Sequence, residues 1–182
     1  MRDVPFRSGA ATPALPGLGH SMSMSSLVAA LPVDGRQSPA ALAIARGATR
    51  LLHTLGHAVV SELALASGRR ADLVALGGDG EIWIVEIKSS IEDFRADHKW
   101  MEYRIHCDRL FFASTSEVSA SSFPPDAGLI VADVFGGAIA VEAPRHALHA
   151  ATRRRMTLAF ARAAALRLSA LYDPVARCEM EA

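Results

Sequence analysis

Three residues with side chains suited to hydrolytic chemistry lie at the ends of two short apolar segments. Asp72 opens the segment Asp-Leu-Val-Ala-Leu, and Glu86 and Lys88 close the segment Ile-Trp-Ile-Val-Glu-Ile-Lys, with a glycine-rich break at residues 77–80 between them. Val, Ile and Leu favour strands and Gly favours tight turns, so we predict a β-hairpin. Because strand side chains alternate between faces, Glu86 and Lys88 are expected to share one face.

The length of the hairpin loop decides whether Asp72 joins Glu86. A three-residue loop, residues 78–80, places Asp72 directly opposite Glu86 on the same face. A four-residue loop pairs Asp72 with Val85 and puts it on the other face. Three-residue loops favour a left-handed residue after the turn, and Gly80 adopts that conformation at little steric cost. We therefore predict the three-residue loop.

Two carboxylates side by side on largely apolar strands need a positive charge to remain ionised together. Residues 68–90 contain no Cys or His, and hard oxygen ligands favour Mg²⁺ or Mn²⁺. A metal ion held by Asp72 and Glu86 would orient and deprotonate a water molecule. Lys88 would stabilise charge on a phosphoryl oxygen or position the nucleophile. The pattern predicts phosphodiester hydrolysis.

Asp72 and the triplet Glu86-Ile87-Lys88 resemble the D…(D/E)-x-K signature of the PD-(D/E)XK nuclease superfamily. A longer block, from Gly68 to Asp72 and on through residues 93–110, is similar to the MmcB-like DNA repair proteins within it. Arg70-Ala71 stands where the superfamily name has a proline, which has no chemical role in the mechanism above. The resemblance spans residues 40–170 and implies an α/β fold with a restriction-endonuclease-like core, a central mixed β-sheet flanked by helices.

Two further metal ligands are expected. The Ile87 carbonyl lies between two site residues. Glu62 lies on a predicted first strand, residues 57–65, next to the hairpin. It is either a solvated partner of Arg69 or Arg70, or the additional upstream carboxylate that the resemblance implies. Simple alternation places Val60, Glu62 and Ala64 on one face of this strand and Val59, Ser61, Leu63 and Leu65 on the other.

A helix over residues 91–107, capped by Ser89-Ser90, is predicted to pass beside the site. Its helical spacing predicts a buried stripe consisting of Ile91, Phe94, His98, Met101 and Ile105. Lys99 and Tyr103 are then candidates for phosphate contacts, and Trp100 for stacking on a base. The alternative is a salt-bridged surface helix with one packing tryptophan.

The remaining pattern predicts one domain over residues 39–172, between a disordered or loosely attached tail at 1–38 and a short tail at 173–182. The other predicted elements are a helix over 39–56, strands over 109–113, 128–133 and 138–141, and a final helix over 151–171. The final helix has an apolar set consisting of Met156, Leu158, Ala159, Phe160, Ala163 and Leu166, with arginines on its rim. Those arginines either follow a DNA backbone or form a solvated face.

Composition excludes some classes of protein. The 182 residues are 51% hydrophobic, enough for a core, but no apolar run approaches the ~20 residues of a membrane helix. A net charge of zero argues against strong non-specific DNA binding. Two cysteines make no disulfide framework, so we expect a reducing, cytoplasmic location and no membrane partner.

These observations predict a Mg²⁺- or Mn²⁺-dependent nuclease that hydrolyses DNA in repair, with Asp72, Glu86 and Lys88 as catalytic residues. The alternative is a non-catalytic module of the same fold that binds DNA or another repair protein. DNA is the expected partner in both cases, and a homodimer would suit cutting of both strands.

Overall fold

The computed structural model describes residues 38–90, 92, 94 and 100–173. Its elements in chain order are α1 (Pro39–Thr54), β1 (Ala58–Ala64), β2 (Arg70–Leu76), β3 (Ile82–Ile87), α2 (Met101–Arg104), β4 (Arg109–Ser114), β5 (Gly128–Ala132), β6 (Gly137–Val141) and α3 (Ala150–Tyr172). The predicted tail at 1–38 lies outside the described residues except for Ser38, and so does the tail at 173–182 except for Asp173. The predicted domain limits stay predictions.

The strands form one six-stranded sheet in the order β1-β2-β3-β4-β5-β6. The pairs β3–β4 and β4–β5 are parallel, and the other three pairs are antiparallel. Helix α1 packs on one face, with Ile44, Ala48 and Leu52 in the core there. Helices α2 and α3 pack on the opposite face, called the α3 face below, through residues such as Met156 and Phe160. The predicted α/β fold, a mixed sheet flanked by helices, is confirmed.

The predicted β2–β3 hairpin has the three-residue loop. Leu76 pairs with Ile82 and Leu73 with Val85, the register in which Asp72 is opposite Glu86. Gly80 has φ +82°, which an L side chain rarely adopts. The alternation in β3 is also confirmed, because Ile82 and Ile84 belong to the core on the α3 face while Trp83 and Val85 belong to the other.

Helix α1 begins at the predicted residue, Pro39, and ends at Thr54, two residues before the predicted limit. The Ser38 hydroxyl accepts a hydrogen bond from the Ala41 N–H at 3.1 Å, and Pro39 occupies the first turn. Gly56, at φ +84°, ends the helix. Leu55, which follows the last residue of the helix, is 45% exposed.

The simple alternation predicted for β1 is wrong. Val60 and Leu63 both pack into the core on the α3 face, although their spacing would put them on opposite faces of a regular strand. Glu62, at φ +52°, lies between them and breaks the alternation. The pairing with β2 is kept on both sides of it, with Ser61 opposite Leu73 and Leu63 opposite Ala71.

The predicted helix over 91–107 is wrong at its C-terminal end. Residues 92 and 94 are helical and much of the rest lies outside the described residues, but α2 ends at Arg104. Met101 and Ile105, predicted to be buried, are 66% and 65% exposed. Tyr103 and Cys107 fill the core instead, since α2 is a single turn with its own orientation.

Helix α3 matches its predicted limits to within one residue. Met156 and Phe160 are buried as predicted, whereas Leu158 and Leu166 are exposed. The buried contacts come from a narrow stripe, because α3 lies at the edge of the sheet over β1.

Candidate functional site

The candidate site forms where β2 and β3 cease to pair through their backbones. The last backbone pair between the two strands is Leu73 and Val85. Beyond it, the strands are joined by hydrogen bonds between side chains and backbone N–H groups. The Ile87 N–H donates to Asp72 Oδ2 at 2.8 Å, and the Asp72 N–H donates to Glu86 Oε1 at 3.3 Å. Each carboxylate is thus oriented by the backbone of the neighbouring strand. The two acids are held side by side on the α3 face of the sheet.

Burial makes this arrangement electrostatically demanding. Glu86 is 3% exposed and Lys88 is 9% exposed. Burying a charged group costs several kcal/mol of folding free energy unless a partner compensates. Removing one partner of a buried ion pair costs about 3–5 kcal/mol. Because buried charges rarely stabilise a fold, the burial of Glu86 and Lys88 favours a chemical role for these residues.

The pKa of Asp72 is raised above its ordinary value. Burial is the main cause, and the negative charge of Glu62 raises it further. The hydrogen bond from Ile87 and the charges of Lys88 and Arg70 only partly oppose the rise. A divalent cation beside Asp72 would supply the missing positive charge and restore the ionised form.

Both backbone groups of Lys88, its N–H and its carbonyl, are hydrogen-bonded to the end of β4. Its N–H donates to the Ala113 carbonyl at 2.9 Å, and its carbonyl accepts a hydrogen bond from the Ser114 hydroxyl at 2.8 Å. Ser114 is fully buried at the end of β4. The end of β4 therefore determines where Lys88 leaves β3.

Glu62 lies one strand away from Asp72, opposite it across β1 and β2. Its carboxylate forms an ion pair with the Arg70 guanidinium, and its side chain is only 10% exposed. The pairing with Arg70 is one of the two alternatives open from the sequence. Glu62 is therefore a third carboxylate beside Asp72 and Glu86, but its charge is paired with Arg70.

The donor set fits a hard divalent cation. Asp72 and Glu86 supply carboxylate oxygens, which Mg²⁺ and Mn²⁺ prefer. The N–H and carbonyl of one strand residue point to the same side, so the Ile87 carbonyl faces β2 and the pair. Within residues 38–90, 92, 94 and 100–173, no group of three or more His, Cys, Asp or Glu side chains is arranged to hold a metal ion. Two carboxylates and a carbonyl therefore form the available set.

The three predicted DNA-binding residues fall in different surroundings. Lys99 lies outside the described residues. Trp100 is half-buried, with its ring 6.4 Å from that of Phe112. Tyr103 is 8% exposed, and its hydroxyl donates to the Arg70 carbonyl at 3.4 Å. Tyr103 is thus a packing residue that ties α2 to β2, with little surface left for phosphate.

Two residues near the site were missed from the sequence. Ser114 looked like the first residue of a loop, although a hydroxyl directly after the buried run Phe-Phe-Ala is a usable signal. Arg167 was one of several arginines in α3, and no pattern separated it from the others. The structure places its Nη2 atom 3.4 Å from the Glu62 carbonyl.

These observations define a protein with a mixed six-stranded α/β fold and, on one sheet face, an acidic pair of half-buried Asp72 and buried Glu86 beside a buried lysine. The chain belongs to the family described as DNA repair protein MmcB-like, which matches residues 29–175. Family membership indicates a role in DNA repair. It does not by itself assign a reaction to this chain.

A solved structure of similar fold is the SPO1766 protein of unknown function from Silicibacter pomeroyi. It is 42% identical to this chain, with a TM-score of 0.72, and the match covers 76% of this chain and 94% of that one. No curated protein matches the chain. In the described part of the chain, no helix has the length and apolar composition needed to cross a bilayer.

Proposed function

We propose that this protein is a metal-dependent nuclease that hydrolyses phosphodiester bonds of DNA during repair, with a PD-(D/E)XK type of site. The observation that carries the proposal is the contact between Asp72 and Glu86, each bound to the other's strand, beside the buried Lys88. Two acids and a lysine in this arrangement suit phosphoryl chemistry, and the family indicates DNA repair.

In the proposed mechanism, Asp72, Glu86 and the Ile87 carbonyl would hold Mg²⁺ or Mn²⁺. When bound, the ion supplies Lewis acidity and lowers the pKa of a water molecule. Lys88 directs its ammonium at the phosphate, stabilises charge on a non-bridging oxygen and orients the attacking water. Glu62 would join the ligands only when Arg70 releases its carboxylate, and otherwise adds negative charge beside Asp72.

The second candidate is a non-catalytic module that binds DNA or a repair protein. It is favoured by the lack of a third acidic ligand among the described residues and by the engagement of Glu62 with Arg70. The acid pair opposes it, because Glu86 is buried beside Asp72, and placing two carboxylates together in such surroundings costs stability. A homodimer, which would suit cutting of both strands, is compatible with either candidate.

The test is a cleavage assay with end-labelled linear, nicked, flapped and branched DNA in the presence of Mg²⁺ or Mn²⁺. We expect wild type to cut at least one of these substrates, and Asp72→Asn to reduce the rate by about a hundred- to a thousandfold, as when one charge-stabilising group is removed. Glu117→Gln, which neutralises an exposed acid far along the chain, is the matched control and should cut like wild type.

Cleavage that persists in Asp72→Asn would show a contaminating nuclease or a different site. Binding of DNA by wild type without any cleavage would favour the non-catalytic module.

A further inference from the structure

The arginines of α3 are distributed between two ends of the molecule. Arg153, near the start of α3, binds Asp108 and the Gly80 carbonyl at the hairpin turn. Arg154 and Arg162 are exposed. Arg167 lies fourteen residues after Arg153, about 21 Å along a helix at 1.5 Å per residue. It therefore reaches the opposite end of the sheet, where the acidic pair lies.

Arg167 is a half-buried cation with few hydrogen bonds. Its Nη2 atom donates to the Glu62 carbonyl at 3.4 Å, near the outer limit for a hydrogen bond. Among the described residues, the Arg167 side chain makes this one hydrogen bond, although a guanidinium has five N–H donors. Burial lowers the pKa of Arg167, and the Glu62 carboxylate opposes that shift. A further anionic partner would satisfy the remaining donors.

The position of Arg167 relative to the acids follows from the strand register. Glu62 stands opposite Asp72, between the pairs Ser61–Leu73 and Leu63–Ala71. Neighbouring strands are about 4.8 Å apart, so Arg167 is roughly one strand spacing beyond Asp72. Phosphates follow one another along a DNA strand at a rise of about 3.4 Å of helix axis, so a strand that crosses the acidic pair brings further phosphates within a distance of this order.

We propose that Arg167 binds a backbone phosphate of DNA next to the phosphate that is hydrolysed at Asp72 and Glu86. The proposal rests on the proposed function, because it assumes that DNA lies across the acidic pair. The guanidinium matches phosphate oxygens in a bidentate geometry. With a net charge of zero, the chain must supply DNA affinity through local cations rather than through its overall field. Of the other cations near Asp72, Arg70 is engaged by the Glu62 carboxylate, and Lys88 has its own role at the acidic pair.

The test is the salt dependence of binding to a short fluorescent DNA, measured by anisotropy without divalent cations so that no cleavage occurs. Removing one phosphate contact should lower the slope of log K against log salt by about 0.7–0.9. We expect this decrease for Arg167→Gln, together with about a five- to tenfold loss of affinity at low salt. Arg162→Gln, which removes an exposed charge from the same helix, should leave the slope unchanged.

Arg167→Lys covers the case in which Arg167→Gln destabilises the fold. Lysine keeps the charge but not the bidentate geometry, so it should keep the wild-type slope while weakening affinity. An unchanged slope in Arg167→Gln, or an equal decrease in Arg162→Gln, would overturn the proposal. If Arg167→Gln is unfolded, wild-type affinity in Arg167→Lys would overturn it instead.

The binding assay separates this proposal from the nuclease proposal. A wild type that binds DNA but never cuts it would contradict the nuclease, and the role of Arg167 would still be decided by the slopes. A wild type that does not bind DNA would overturn the role of Arg167 directly.

Discussion

At the residue scale, the geometry of the candidate site depends on hydrogen bonds between side chains and backbone groups. Asp72 and Glu86 are oriented by N–H groups of each other's strands, and Lys88 by the end of β4. The Ser114 hydroxyl is the one side chain in this set without a formal charge. It can be removed without changing the electrostatics of the acids.

Ser114→Ala is expected to slow cleavage while leaving metal affinity intact. The Lys88 carbonyl would lose its 2.8 Å hydrogen bond, and the lysine would be held less firmly. One net hydrogen bond contributes about 1 kcal/mol, which corresponds to roughly a five- to tenfold lower single-turnover rate. Calorimetric titration of Ser114→Ala with Mn²⁺ should give the wild-type affinity, because within the part of the chain that the structure describes Ser114 makes no hydrogen bond to either acid.

Ser114→Cys, which keeps a weak donor of similar size, serves as the conservative variant and should recover part of the rate. Equal rates for Ser114→Ala and wild type would show that Lys88 is positioned by other contacts. A parallel loss of metal affinity would indicate a general structural defect.

At the element scale, the sequence predicted the hairpin because turn chemistry and alternation agreed. Gly80 selected the loop length, and the loop length determined that Asp72 faces Glu86. The same alternation rule failed in β1 because Glu62 takes a left-handed conformation, which is uncommon for residues other than glycine. Nothing in the local sequence marks that departure.

The segment after Lys88 shows a second limit of periodicity. Helical spacing over residues 91–107 predicted one buried stripe, yet α2 is a separate turn anchored by tertiary contacts. Arg69 forms two hydrogen bonds with Glu102, at 2.8 and 2.9 Å. These contacts orient Tyr103 inward and leave Met101 exposed. Contacts between residues this far apart in the sequence can override the local helical pattern, and the spacing of apolar residues does not reveal them.

At the scale of the whole molecule, Asp108 joins three parts of the fold that the sequence did not connect. Its carboxylate accepts hydrogen bonds from the Ile82 and Leu148 N–H groups and from the Arg153 guanidinium. Strand β3, the segment leading into α3, and α3 itself thereby converge on one fully buried carboxylate. Burial alone would raise the pKa of Asp108, but these hydrogen bonds outweigh it and hold the pKa below its ordinary value.

Asp108→Asn is therefore expected to destabilise the protein in a pH-dependent manner. A carboxylate with a lowered folded-state pKa contributes stability above its unfolded pKa and loses it as the pH falls through the folded value. The deficit of the variant should be about 3 kcal/mol at pH 7. It should shrink as the pH falls from the ordinary value of 3.8 toward the lower folded-state pKa, because the wild-type carboxylate loses its stabilising contribution over that interval. Urea unfolding at a series of pH values measures both quantities.

Asp126→Asn is the matched control for this series, because Asp126 is an exposed acid on the loop before β5. It should unfold like wild type at every pH. A deficit of Asp108→Asn that stays constant or grows toward low pH would show that the ionised carboxylate is not what joins these elements.

The most direct measurement of the central claim, that Asp72 and Glu86 form a metal site, is calorimetric titration of the protein with Mn²⁺. Wild type and the exposed-acid control Glu117→Gln are predicted to bind the ion at one site, and Asp72→Asn/Glu86→Gln is predicted to bind none there. Absence of Mn²⁺ binding by wild type, or equal binding by the double variant, would contradict the claim.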